Sequence, residues 1–112
     1  MDLELDIGVQ EFVRLLREMG FKDIRVRRKR LVAKMGMDGG RIHVLAKEIA
    51  TNKVYADVHW DAPIHFLMFG VDYAERPKRI CEEIIERLRK RGSRGRIVGG
   101  LSWFSRRRDC PQ

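Results

Sequence analysis

The sequence predicts an α+β fold, an antiparallel sheet of four to five strands with two helices on one face and a basic C-terminal extension. Three observations carry this. Two segments place apolar residues at helical spacing, the segments between them alternate apolar and polar residues, and the charge turns one-signed from the last turns of the second helical segment onward. At 112 residues the chain is one domain by length. Residues 1–91 read as its body and 92–112 as the extension, an added strand with a flexible end.

Leu3, Leu5 and Ile7 alternate with Asp2, Glu4 and Asp6, which predicts a short half-buried strand or a helix lead-in with Asp6 as N-cap. Val9, Phe12, Val13, Leu16 and Met19 then form one helical stripe, closed by Gly20. Ile24 and Val26 alternate with Arg25 and Arg27 as a strand; Arg27-Arg28-Lys29-Arg30 turns the chain, and Leu31 to Met35 returns. Asp38-Gly39-Gly40 is a further turn signal.

The best-specified hairpin follows. Ile42, Val44 and Ala46 alternate on one arm, and Val54, Ala56, Val58 and Trp60 on the other. A loop of Ala50, Thr51 and Asn52, with Asn52 left-handed, sets Val44 opposite Val58 and Ile42 opposite Trp60. A slip of one residue would put polar side chains on the buried face. Ile64 to Val71 reads as a central strand. A second helix starts near Pro77 and buries Ile80, Cys81, Ile84 and Leu88. Its acids come early and its bases late, which suits the helix dipole, and Glu83–Arg87 and Glu86–Lys90 are spaced for i,i+4 pairs. Ile97 to Phe104 offers one last strand, weakened by Gly99-Gly100.

The whole chain carries +8, yet residues 1–86 hold 15 basic and 15 acidic residues. From Arg87 to Arg108 there are nine basic residues and no acid. A neutral body with a one-signed end fits a polyanion, and the expected partner is nucleic acid, RNA or DNA, held through phosphates with low sequence specificity. Arg94, Arg96, Arg106, Arg107 and Arg108 would supply the tail contacts, with Trp103 and Phe104 stacking on unpaired bases. Arg27, Arg28, Lys29 and Arg30 would extend the contacts along the body. Two plainer explanations compete: cations are favoured at a helix C-terminus whatever the function, and charge protects an edge hairpin from aggregation.

The hairpin's polar face is where a metal site could form. His43 is expected opposite His59, and Asp57, His59 and Asp61 share one strand face; together they would imply a metal-dependent nuclease. No named metal motif is present, and Lys47 and Arg41 offer the carboxylates ordinary ion pairs. No cofactor is implied: no phosphate-cradling Gly-Lys-Ser/Thr loop, dinucleotide fingerprint or Gly-x-Ser-x-Gly elbow occurs. A third reading is a protein-interaction or self-assembly module, a homo-oligomer formed through a sheet edge or the Phe66–Phe69 segment.

The acidic start and the shortness of the longest apolar run, residues 66–69, predict a cytoplasmic protein with no membrane span. The charged fraction of 36% and only three Asn or Gln residues point to a hot environment. Cys81 and Cys110 match no zinc or disulfide framework; a bridge between them would staple the tail. The order helix, strands, helix resembles that of double-stranded-RNA-binding domains in topology alone. Such domains have a Lys-rich start to the second helix, whereas this one begins Arg76-Pro77-Lys78-Arg79 and turns acidic at Glu82. No RNP signature is present, so no residue roles carry over.

Overall fold

The computed structural model describes residues 1–37, 39–61 and 75–99. They form, in chain order, β1 (Asp2–Leu5), α1 (Val9–Glu18), β2 (Asp23–Arg27), β3 (Arg30–Met37), β4 (Gly40–Ala50), β5 (Lys53–Asp61), α2 (Glu75–Lys90) and β6 (Gly95–Gly99). The sheet runs β2-β3-β4-β5-β1-β6, with every neighbouring pair antiparallel. The α+β class is as expected, but the sheet has six strands rather than four to five. The short alternation at the start is an interior strand, paired to β5 on one side and β6 on the other. Residues 95–99, within the expected extension, supply the sixth strand, Leu5 standing opposite Gly95 and Leu3 opposite Ile97. Segment 64–71, expected as a central strand, lies outside the described residues.

Both helices end as their glycines require. After α1, Gly20 sits at φ +107°, its N–H donates to Arg17 O, and the Phe21 N–H donates to Leu16 O at 3.0 Å. After α2, Gly92 at φ +79° and Ser93 repeat the pattern onto Arg89 O and Leu88 O. These are Schellman closures, in which a left-handed residue lets two orphan carbonyls find donors. α1 starts differently from the expectation. Its N-cap is Gly8, not Asp6, and no side chain caps from that position. Instead Glu48 Oε1, on β4, accepts from the Val9 N–H at 3.1 Å. α2 starts at Glu75, so Pro77 falls at its third residue, still within the first turn, where its missing N–H costs no helical bond.

The β4–β5 register is the expected one, with Ile42 opposite Trp60, Val44 opposite Val58 and His43 opposite His59. Asn52 is left-handed at φ 54°, and an irregularity between Glu48 and Ala50 absorbs the odd residue. Because side chains alternate, this register puts Leu31, Ala33, Ile42, Val44, Val54, Ala56, Val58, Leu3 and Leu5 on one face, all buried. They join Phe12, Leu15 and Leu16 of α1 and Ile80, Ile84 and Leu88 of α2 in one core cluster. α1 packs on β3, and α2 on β5 and β6. The Trp60 indole donates to Met37 O at 2.8 Å, and Arg76 stacks over its ring at 4.3 Å. Among the described residues no helix is long and apolar enough to cross a membrane.

Candidate nucleic-acid interface

The β2–β3 connection is a two-residue hairpin. Arg27 pairs with Arg30, so Arg28 and Lys29 alone make the turn, at φ 53° and 64°. A two-residue turn with both φ positive is the type I′ form, which suits the twist of a hairpin and normally calls for Asn and Gly. For Arg and Lys the left-handed conformation costs about 1–2 kcal/mol per residue. The turn is held by its neighbours: the Glu48 N–H donates to Lys29 O at 2.9 Å, and Glu48 Oε2 lies 4.0 Å from Lys29 Nζ. One carboxylate thus steadies both the basic turn and the first turn of α1.

Follow the register outward from that turn, on the face away from the core. Arg27 of β2 stands opposite Arg30 of β3, Arg30 opposite Lys47 of β4, Lys47 opposite Tyr55 of β5 and Tyr55 opposite Glu4 of β1. Three exposed cations therefore occupy directly facing positions on three consecutive strands. Among the described residues none of Arg27, Arg28, Arg30 and Lys47 has an ion-pair partner. Like charges directly opposite in a sheet are destabilising, by up to about 1 kcal/mol per pair. Edge protection accounts for Arg25 and Arg27 on edge strand β2. It does not account for Arg30 and Lys47, which sit on interior strands already paired on both sides.

The C-terminal cations present a different picture. Arg87 binds Glu83 at 2.9 Å and lies 3.8 Å from Glu18; Arg89 binds Glu86 at 2.7 Å; Arg91 binds Glu18; Arg96 binds Glu4. Glu86 takes Arg89, three residues on, rather than Lys90. Arg94 is exposed, and its carbonyl accepts from the Asp6 N–H at 2.8 Å. Trp103, Phe104, Arg106, Arg107 and Arg108 lie outside the described residues, as do Cys110 and His65. Cys81 is a free thiol, buried in the core. Burial, with the nearby carboxylates of Asp57, Asp2 and Glu82, pushes it up to about 12 against the opposing pull of the Met1 ammonium, so it is no nucleophile.

The His43/His59 pair is real, but its geometry is that of a stack. The ring centroids are 4.9 Å apart and the planes 25° from parallel. Imidazole lone pairs lie in the ring plane, so stacked rings do not aim them at a common centre. Asp57 is turned to the Met1 ammonium at 3.5 Å. Lys47 stands opposite Tyr55 rather than beside Asp57. Among the described residues no three His, Cys, Asp or Glu side chains are grouped to hold a metal ion. His43 is kept below its ordinary value of 6.5 by burial, then by Lys34 and Arg41, with Asp61 opposing.

Towards β1 and β5 this face is itself buried at Asp2, Asp57 and His59, and Tyr55 donates its hydroxyl to Asp2 Oδ2 at 2.6 Å. The accessible basic part is the β2–β3–β4 corner. Lys47, which completes it, was not among the residues picked out from sequence, because a lone lysine in a strand carries no local signal. The signal was topological: the β3–β4 register, with Met37 opposite Gly40, places Lys47 opposite Arg30. Compared with models of known families, with curated proteins and with solved structures, the chain matches none of them.

Proposed function

We propose that the protein binds nucleic acid, RNA or DNA, through phosphates and with low sequence specificity. The observation that carries this reading is the run Arg27, Arg30, Lys47 across three strands, next to the left-handed Arg28-Lys29 turn. Both features cost folding stability, and sites that break local rules without a structural return are where function is expected. A polyanion laid over the corner would replace the mutual repulsion by phosphate contacts. Arg94 and the basic residues of the tail, Arg106, Arg107 and Arg108, would add contacts, and Trp103 and Phe104 would favour unpaired bases. The setting we propose is the cytoplasm, where Cys81 stays a thiol.

The test is equilibrium binding of the full chain to single- and double-stranded RNA and DNA, beside an Arg27→Ala/Arg30→Ala/Lys47→Ala variant. Wild type is expected to bind and the variant to bind at least tenfold more weakly at low salt. Equal binding by the two sinks the reading.

A second reading has one observation in its favour. Among the described strands β6 lies at the edge of the sheet, and Ile97 and Val98 on it are 41% and 42% exposed. Such an edge can pair with a copy of itself. Light scattering decides: a strict monomer at high concentration rules this out, and a dimer lost in Val98→Lys supports it.

A further inference from the structure

At the far end of the same edge, away from the Arg28-Lys29 turn, the fold leaves a second basic recess. The Schellman turn after α1 and the start of β2 face the last half of β3 and the start of β4 across a cavity of about 440 Å³. Lys22, Lys34 and Arg41 line it together with Gly20, Met35 and Gly36. The two glycines keep side chains out of the recess: a Cβ at Gly36 would meet nothing closer than Gly40 O at 4.0 Å, and Gly20 holds φ +107°, which few other residues adopt. None of the three cations has an ion-pair partner among the described residues. The one carboxylate in the lining, Asp23, is turned to Arg25 Nε at 3.7 Å.

We propose that this recess is a phosphate subsite, seating one phosphate of the same nucleic-acid strand whose other phosphates meet Arg27, Arg28, Lys29 and Arg30. The inference rests on the nucleic-acid reading above and adds where the strand runs. Lys34 is four residues from Arg30 along β3, roughly 13 Å at about 3.3 Å per residue. That is the rise of about four nucleotides on one strand of a duplex. Arg25 lies between the two clusters on the same sheet face, opposite Val32. Recess, Arg25, and the Arg27/Arg30 pair thus form a row of positive positions along the first two strands. A strand lying on it runs parallel to β2 and β3, and meets the Arg30–Lys47 step at the turn end. Glycine walls let phosphate oxygens approach the backbone, and three cations without an ion pair can neutralise more than one charge there. The field of Lys34 and Arg41 is already felt by His43, which stands opposite Lys34.

The experiment uses the full chain and a Lys22→Ala/Lys34→Ala/Arg41→Ala variant, with melting curves to confirm the fold. Both are titrated with single-stranded and duplex oligonucleotides across a salt series. Inorganic phosphate is titrated separately and followed at the Gly36 and Lys34 amide resonances. The variant is expected to bind about tenfold more weakly, with a log–log salt slope shallower by about 0.9 to 1.8 on duplex, the equivalent of one to two phosphate contacts. Phosphate is expected to shift the Gly36 amide in wild type and not in the variant. Unchanged affinity and slope in this variant, beside a weakened Arg27/Arg30/Lys47 variant, overturn the subsite and leave the nucleic-acid reading standing. A wild type that binds neither RNA nor DNA overturns both; if phosphate still shifts Gly36, the recess is a small-anion site and the shared-strand claim is lost. Should the triple variant fail to fold, Lys22→Glu alone, at an exposed loop position, gives the same reading.

Discussion

Arg28 and Lys29 hold a backbone conformation that Asn and Gly adopt at lower cost. Replacing them, Arg28→Asn/Lys29→Gly, keeps the type I′ turn and removes two strained cations. We expect the variant to gain roughly 1–2 kcal/mol in stability, raising the melting temperature by several degrees, and to bind nucleic acid more weakly. A variant that loses stability would mean the turn is not strained. Glu48 does the opposite service. Its Oε1 accepts from the Val9 N–H at the first residue of α1, where Gly8 offers no side chain. Glu48→Ala is therefore expected to lose about 0.5–2 kcal/mol in chemical denaturation, as a lost helix cap does. Of these two features only the turn was visible beforehand. Four consecutive basic residues between two alternating segments announce a connection, whereas Glu48 and Val9 meet only when β4 lies beside α1. Asn52 was legible for the reason Glu48 was not: its left-handed conformation is a local property of residue type.

At the scale of elements, β6 shows how a strand can be missed in part. Gly95 and Gly99 bracket it, and glycine weakens a strand pattern. Yet glycine suits position 95. A Cβ there would lie 2.8 Å from Leu5 Cδ2 and 3.1 Å from Leu88 Cδ1, so any side chain must displace the ends of two buried leucines. Gly95→Ala is expected to cost about 1–3 kcal/mol, the usual penalty of overpacking, read from the denaturation midpoint. An unchanged midpoint would mean that Leu5 and Leu88 yield freely. Cleaving the chain after Arg91 removes β6 and uncovers β1, so a truncation meant to test the tail must keep residue 99. The β4–β5 register, by contrast, was readable, because seven alternating apolar positions, three on β4 and four on β5, tolerate no slip; only Ala50, read as part of the loop, differs, since it pairs with Lys53. Arg96 looked free in sequence; its partner Glu4 is 92 residues away and adjacent only once β6 has docked.

For the whole molecule, the charge distribution differs from its distribution along the chain. The surplus lies after residue 87 in sequence, but Arg87, Arg89, Arg91 and Arg96 are ion-paired in the fold. Arg27, Arg30, Lys34, Arg41 and Lys47, on β2, β3 and β4, have no ion-pair partner among the described residues. Residues 23–50 hold eight basic and three acidic residues, a local surplus that the acidic remainder of residues 1–86 cancels when charge is summed along the chain. With Arg87, Arg89, Arg91 and Arg96 paired, the exposed basic site shifts towards this corner of the sheet. His43, half-buried beside Lys34 and Arg41, gives the molecule an acid sensitivity. His43 is held below 6.5 when folded, so the unfolded chain takes up its proton first as pH falls. Its contribution to stability is full above about pH 6.5 and is lost as pH drops from there through the lowered folded value. Denaturation midpoints measured between about pH 8 and about pH 5 should fall in wild type and fall less in His43→Gln. A buried thiol supplies an independent check on the core. In a Cys110→Ser background, Cys81 should react with a thiol reagent only at the rate of global opening, and fast labelling under native conditions would contradict its burial.

The central claim, that Arg27, Arg30 and Lys47 form one phosphate-binding row, is tested most directly by the salt dependence of binding. Each phosphate contact contributes about −0.9 to the log–log slope on duplex and about −0.7 on a single strand. Measured side by side with wild type on one oligonucleotide, the Arg27→Ala/Arg30→Ala/Lys47→Ala variant should show a slope shallower by about 2 to 3, with its melting temperature kept or raised. A slope equal to that of wild type would contradict the account.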